Sequence, residues 1–220
     1  MRHSPSLYLA IGDSITVGVA ASPGRGYAKL VTGTLARAGP AWTLSRAARK
    51  GATSKEALFW TVFSPRVRLL IRYARVITLL IGGNDLLYAY LASRFTRRPL
   101  ILSSAVAAYR RNLHLILYQI RHHSPAPVFL LNQYNPFPRS TFATAWVDAF
   151  NSQTADTADR WGIPLINLHE LFTGRETGWI DGYRNGSLSD IPLIGPKPIH
   201  PNNAGHQAIA DAVAATVLHE

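Results

Sequence analysis

Four short stretches of this 220-residue chain carry side chains suited to chemistry. Ile11-Gly12-Asp13-Ser14 ends an apolar run and leads into Ile15-Thr16-Val17-Gly18, which puts Ser14 in a tight strand-to-helix turn. Amide groups at a helix N-terminus favour negative charge developing on an attacked carbonyl, so a serine in that turn suits acyl transfer. Capping of the following helix by Asp13 or Ser14 accounts for the same residues. Leu80-Ile81-Gly82-Gly83-Asn84-Asp85 closes another apolar run. Its glycines let backbone approach a ligand, and Asn84 offers an amide donor of the kind that completes an oxyanion hole. A Gly-Asn turn with Asp85 as a helix cap is the plain alternative. Lys50-Gly51-Ala52-Thr53-Ser54 is a glycine-containing turn that opens a helix with Glu56 just inside it, which by itself is a capping pattern. Ile199-His200-Pro201-Asn202-Asn203 precedes the last helix and sets His200 on a loop.

The elements that must position these residues are legible from periodicity. Apolar runs with strand character recur at Leu7 to Ile11, Trp42 to Ala47, Val76 to Ile81, Val128 to Leu131 and Leu165 to Leu168. Helical spacing marks Tyr27 to Ala38, Lys55 to Tyr73 with a break near Pro65, Ser103 to His122, Thr141 to Trp161 and Ala204 to Leu218. Alternation of this kind predicts an α/β fold: a three-layer α/β/α sandwich on a five-stranded parallel sheet with flavodoxin-like order. Open sheets of that type bind ligands outside the carboxyl ends of their strands, where all four stretches fall. Residues 1–220 are expected to form a single domain. The one long loop-rich stretch, Thr173 to Asn202, is rich in Gly, Pro, Ser and Asp, and such loops are usually functional.

Taken together, the four stretches resemble the SGNH (GDSL-type) hydrolases, whose pattern is Gly-Asp-Ser near the N-terminus, a loop glycine, Gly-x-Asn-Asp, and a His-Pro near the C-terminus. Order and spacing match from Leu7 to Leu218. The resemblance implies a carboxylic ester hydrolase in which Ser14 attacks the acyl carbonyl and His200 is the general base. The Ser14 and Gly51 N–H groups and the Asn84 side chain would hold the oxyanion, with Asp13 and Asp85 supporting the Ser14 and Asn84 loops. No cofactor or metal is expected. His122 and His123 are adjacent and point apart, His169-Glu170 lacks further ligands, and no His-Glu-x-x-His occurs.

The chain departs from the family pattern at one place. Members usually carry Asp-x-x-His, the Asp holding the imidazole in its working tautomer, but Lys197 stands three residues before His200. Loss of that carboxylate in a serine protease lowers kcat by about 10⁴. Three outcomes follow: a Ser14–His200 dyad with the ring oriented by a backbone carbonyl, which we favour; a carboxylate from the long loop, Asp190 or Asp181, in place of the missing Asp; or a weak or inactive relative that binds an ester or glycan. Lys197 near the ring would disfavour imidazolium and weaken the base. His206, in the first turn of the last helix, ranks below His200 as a substitute base.

Between Leu86 and Leu102 lies a segment unlike a tidy helix, with Leu87, Tyr88, Tyr90, Leu91 and Phe95 followed by Arg97, Arg98 and Pro99. Leu87 and Tyr90 are candidate contacts for an acyl chain, and the arginines for an anionic headgroup or membrane surface. Ordinary packing on the sheet explains the segment equally well. The expected substrate is a short to medium acyl ester or a lysophospholipid.

Composition narrows the remaining classes. At 47% hydrophobic the chain can bury one sizeable core, and the absence of cysteine removes disulfides and thiol catalysis. The run Leu7 to Ile11 is too short for a signal segment, and no window nears the roughly 20 apolar residues of a bilayer span, so a cytoplasmic location is expected. Lys and Arg number 23 against 12 carboxylates, a formal net charge of +11. The cations are spread over several segments without a basic run interleaved with aromatics or a nucleic-acid motif, so solvated helix faces, not a nucleic-acid partner, are expected. A nucleotide-binding reading fails because Gly12 and Gly18 do not form G-x-G-x-x-G and no G-K-[ST] follows Ser22-Pro23-Gly24-Arg25-Gly26.

Overall fold

Near-continuous apolar runs frame the molecule, because a parallel strand covered on both faces has no polar side to present. The computed structural model describes residues 5–96, 98, 100–192 and 195–220. Among these residues β1 (Ser6–Gly12), β2 (Trp42–Ala48), β3 (Ala74–Leu80), β4 (Val128–Leu131) and β5 (Leu165–Ile166) form one parallel sheet. Its order is β2-β1-β3-β4-β5, the flavodoxin-like arrangement expected. The turn α1 (Ser14–Val17) follows β1 directly.

Alternate residues of β1 and β3 feed two cores, as a two-residue side-chain period requires. Leu9, Ile11, Ile77 and Leu79 meet α3 (Ser54–Phe63), α4 (Pro65–Tyr73), α5 (Gly83–Thr96), α6 (Leu100–His123) and α7 (Thr141–Trp161). Tyr8, Ala10, Val76 and Leu80 meet α2 (Tyr27–Ala38), α8 (Leu168–Phe172), α9 (Glu176–Trp179) and α10 (Asn203–His219). Fully buried side chains such as Ile11 and Ile77 each contribute about 1.5–3 kcal/mol of hydrophobic stabilisation. The expected break near Pro65 is a clean division into α3 and α4: Ser64 caps α4 by accepting from Val67 N at 3.3 Å, and Pro65 takes the first helical position.

Three elements differ from the sequence expectation. The segment expected to be irregular after Asn84 is the regular 14-residue helix α5, whose Leu and Ala residues favour helix while its side chains face neighbours on several sides. Arg97 and Pro99, included in that expectation, lie outside the described residues. Strand β5 stops at Ile166 because the Asn167 side chain accepts from Glu170 N and caps α8. Within the long C-terminal loop, α9 and a 3-10 turn at Leu188–Asp190 supply local order. Among the described residues no helix is long and apolar enough to cross a membrane.

Candidate active site

The carboxyl end of β1 is built around Gly12, where a Cβ would overlap Thr16 Oγ1 and the Leu80 carbonyl. This close approach lets the chain turn at once into α1. Asp13 caps α1 by accepting from Ile15 N at 3.0 Å, leaving Ser14 as the first helical residue. Ser14 is 7% exposed, so its hydroxyl is nearly enclosed yet still reaches the cleft. His200 arrives from the opposite end of the chain, and its Nε2 lies 3.0 Å from Ser14 Oγ.

The His200 loop is pinned through its main chain. Tyr134 Oη donates to the Ile199 carbonyl, Asp181 N donates to the His200 carbonyl at 2.9 Å, and Asn202 N donates to the Trp179 carbonyl at 2.8 Å. An antiparallel bridge joins Ile180 to Pro201. Burial is the main influence on the imidazole and lowers its pKa from the ordinary histidine value; His206 adds to this, Asp181 opposes it, and Lys50 and Lys197 act with burial. Among the described residues no carboxylate hydrogen-bonds the ring. Asp190 is engaged elsewhere: its oxygens accept from Asn185 N at 2.9 Å, Asn185 Nδ2 at 3.1 Å and Ser187 N at 3.2 Å. Although burial opposes it, these bonds hold the Asp190 carboxyl below the ordinary aspartate value, so it organises its own turn instead of reaching His200. His206 is fully buried, with Nδ1 accepting from Tyr27 N at 3.2 Å and Nε2 3.1 Å from the Val19 carbonyl, so it ties α10 to α2.

Asn84, in the first turn of α5, donates from Nδ2 to the Ala52 carbonyl at 3.0 Å and approaches Asp13 Oδ2 at 3.5 Å. One side chain thereby links the β1, β2 and β3 ends of the sheet. Gly51 occupies the turn after β2 at φ +75°, with its carbonyl accepting from Tyr88 Oη at 3.2 Å. Asp85 accepts from Ser54 N at 2.8 Å and from Ser54 Oγ, whose position Asn112 fixes at 2.9 Å. Burial raises the pKa of Asp85, and it raises that of Asp13 to about 7. Asp13 is therefore close to neutralisation at physiological pH and adds less negative charge beside Ser14 than a solvated carboxylate would.

A cleft with a cavity volume of about 110 Å³ opens at Ser14, Asn84 and His200. Leu87 and Tyr90 of α5 line it, and so do Phe142 and Trp146 of α7, with the Tyr90 and Phe142 rings 5.8 Å apart. The stretch after β4 closes the floor: Gln133 Nε2 donates to the Ile81 carbonyl at 3.0 Å, and Asn151 holds Gln133 through both its N–H and its carbonyl. Sequence reasoning missed Gln133, Tyr134, Phe142 and Trp146. The polar and aromatic cluster Asn132-Gln133-Tyr134-Asn135 at the end of an apolar run was the available signal. A serine hydroxyl bonded to an imidazole at the foot of an apolar cleft is equipped for nucleophilic attack on an acyl carbonyl.

Comparison with known proteins gives the family. The model of the GDSL-like lipase/acylhydrolase family matches residues 10–208. The spore germination lipase LipC of Bacillus licheniformis is 27% identical over 218 residues, covering 94% of each chain. A lipase from a goat rumen metagenome superposes with a TM-score of 0.80 at 26% identity over 96% of each chain. The phospholipase A1 of Streptomyces albidoflavus shares the fold, with a TM-score of 0.71 at 19% identity over 96% of this chain and 99% of that one. With its fold and its sequence in agreement over nearly the full length, the chain belongs to the GDSL-like lipase/acylhydrolase family.

Proposed function

We propose that the protein hydrolyses carboxylic esters of short to medium acyl groups, or lysophospholipids, through an acyl-enzyme on Ser14 with His200 as general base. The observation that carries this reading is the 3.0 Å approach of His200 Nε2 to Ser14 Oγ at the foot of the cleft. Ser14 Oγ adds to the ester carbonyl as His200 Nε2 takes its proton. The oxyanion faces the Ser14 and Gly51 N–H groups and Asn84 Nδ2, whose long contact to Asp13 is the one it takes over. Collapse expels the alcohol, protonated by His200, and water then releases the acid by the same steps in reverse.

Among the described residues the one hydrogen bond of the His200 ring is to Ser14 Oγ, so neither a carboxylate nor the expected backbone carbonyl orients it, and the main-chain bonds at Ile199, His200 and Asn202 fix only the position of its loop. The reading supported is a dyad without an orienting partner. Lipid and ester substrates suit a cleft walled by Leu87, Tyr90, Phe142 and Trp146, and they accord with the named activities of the relatives. The test is hydrolysis of p-nitrophenyl esters of graded acyl length by wild type, Ser14→Ala and His200→Ala. Both variants are expected to lose activity comparably, by about 10³-fold or more. Tyr90→Ala is expected to change the preferred acyl length. Activity untouched by either catalytic substitution would refute the assignment, and a wild type inert to every ester would favour a noncatalytic binding protein.

A further inference from the structure

Basic and acidic residues are unevenly divided along the chain. Between Ser14 and Val147 only two carboxylates, Glu56 and Asp85, stand against 18 Lys and Arg residues. Both are engaged: Asp85 bonds Ser54, while Glu56 caps Thr53 and pairs with Arg49. From Asp148 to Glu220 the balance reverses, with nine carboxylates against four Lys and Arg. The sequence thus has a strongly basic stretch, which includes α3 to α6, and an acidic one.

Large apolar side chains crowd the same basic stretch. Arg66, Arg68 and Arg72 of α4 are exposed, as are Phe59 and Phe63 of α3 and Tyr73 of α4, at 59%, 65% and 65%. The Phe59 and Phe63 rings lie 5.0 Å apart, and the Arg72 guanidinium is 6.0 Å from the Tyr73 ring centroid. Clustered aromatics left in water indicate an interaction surface. A second copy packed symmetrically through this face would set arginines against arginines. Duplex nucleic acid would meet the arginines but leave the Phe59–Phe63 pair against its phosphate backbone; a single strand, whose bases stack on aromatic rings, is the competing occupant that the experiment must separate.

We propose that the outer face of α3 and α4 docks the protein on an anionic lipid surface, with Arg66, Arg68 and Arg72 on headgroup phosphates and Phe59, Phe63 and Tyr73 at the headgroup–acyl boundary. The helix α5, which walls the cleft, belongs to the same layer, so docking holds the enzyme where acyl lipids are concentrated. None of the six side chains contributes to the Ser14–His200 cleft, so the surface can be tested whatever the outcome for catalysis.

The experiment is co-sedimentation of the full chain with phosphatidylcholine vesicles, with and without about 30 mol% phosphatidylglycerol. Binding is expected only with the anionic lipid and should weaken as salt is raised. Neutralising Arg66, Arg68 and Arg72 to Gln should lower the partition coefficient about five-fold per residue, about 100-fold together. Phe59→Ser with Phe63→Ser should weaken binding at high salt, where the electrostatic part is screened. Both variants should retain wild-type hydrolysis of a soluble ester and wild-type thermal unfolding. No sedimentation with anionic vesicles at low salt, equal binding to neutral vesicles, binding unchanged in both variants, or retention of nucleic acid without vesicle binding would each overturn the proposal.

Discussion

At His200 opposing influences meet. Burial, His206, Lys50 and Lys197 favour the neutral ring, and Asp181 favours the imidazolium. A neutral ring is ready to accept the Ser14 proton, so the acid limb of the kcat/KM profile should have its midpoint below the ordinary histidine value of 6.5. The same influences leave the imidazolium of the transition state poorly stabilised. Lys197→Asp exchanges a repelling charge for an attracting one, which raises the imidazole pKa and moves the acid limb to higher pH. It should also raise kcat/KM about ten-fold or more, given what the carboxylate contributes in serine proteases. An unmoved limb, or an unchanged or lower kcat/KM in a variant with a wild-type circular dichroism spectrum, would count against this electrostatic role. Ser14 and His200 meet although they stand 186 positions apart, a pairing that the resemblance to the SGNH hydrolases implied and that the local sequence around a lone loop histidine did not. Which group faces the ring was not legible, because Asp190 and Asp181 have similar sequence context and only folding shows Asp190 engaged by Asn185 and Ser187.

The elements show where periodicity suffices and where it does not. Strands β1, β3 and β4 are buried along most of their length, and their apolar runs are unambiguous, whereas the edge strand β2 is half-exposed and interrupts its apolar residues with Thr43, Ser45 and Arg46. Helix α5 is apolar around much of its circumference because cleft, sheet and α6 surround it, so no polar stripe announces a helix. The last helix illustrates how tightly one element sets the site. Gly205, in its first turn, lies against α9, and a Cβ there would overlap the Trp179 carbonyl and approach Pro201 Cβ at 2.8 Å. Helix propensity alone favours Ala over Gly by about 1 kcal/mol, while overpacking against backbone costs about 1–3 kcal/mol. Gly205→Ala is therefore expected to destabilise the protein and to displace the neighbouring His200–Pro201 segment. Urea unfolding and ester hydrolysis should both decline. A gain in stability with full activity would show that α10 and α9 separate more readily than their contacts imply.

At the scale of the whole molecule, a single sheet is shared by both helical layers, and the strand order brings all four functional loops to one edge. Neither layer buries its apolar face without that sheet, so the chain should unfold as one unit. Trp42, Trp60, Trp146, Trp161 and Trp179 are distributed over both layers, which makes intrinsic fluorescence a reporter of each. Fluorescence and far-ultraviolet circular dichroism should give one coincident denaturation curve. Two separated transitions would contradict a single domain spanning residues 1–220.

The pairing of Ser14 with His200 is tested most directly by a serine-directed phosphonate followed by peptide mass spectrometry. One phosphonyl group per chain should appear on the peptide containing Ser14, with none in Ser14→Ala and labelling slowed about 10³-fold in His200→Ala. Labelling of another residue, or persistent ester hydrolysis in a preparation whose Ser14 is fully modified, would contradict the assignment.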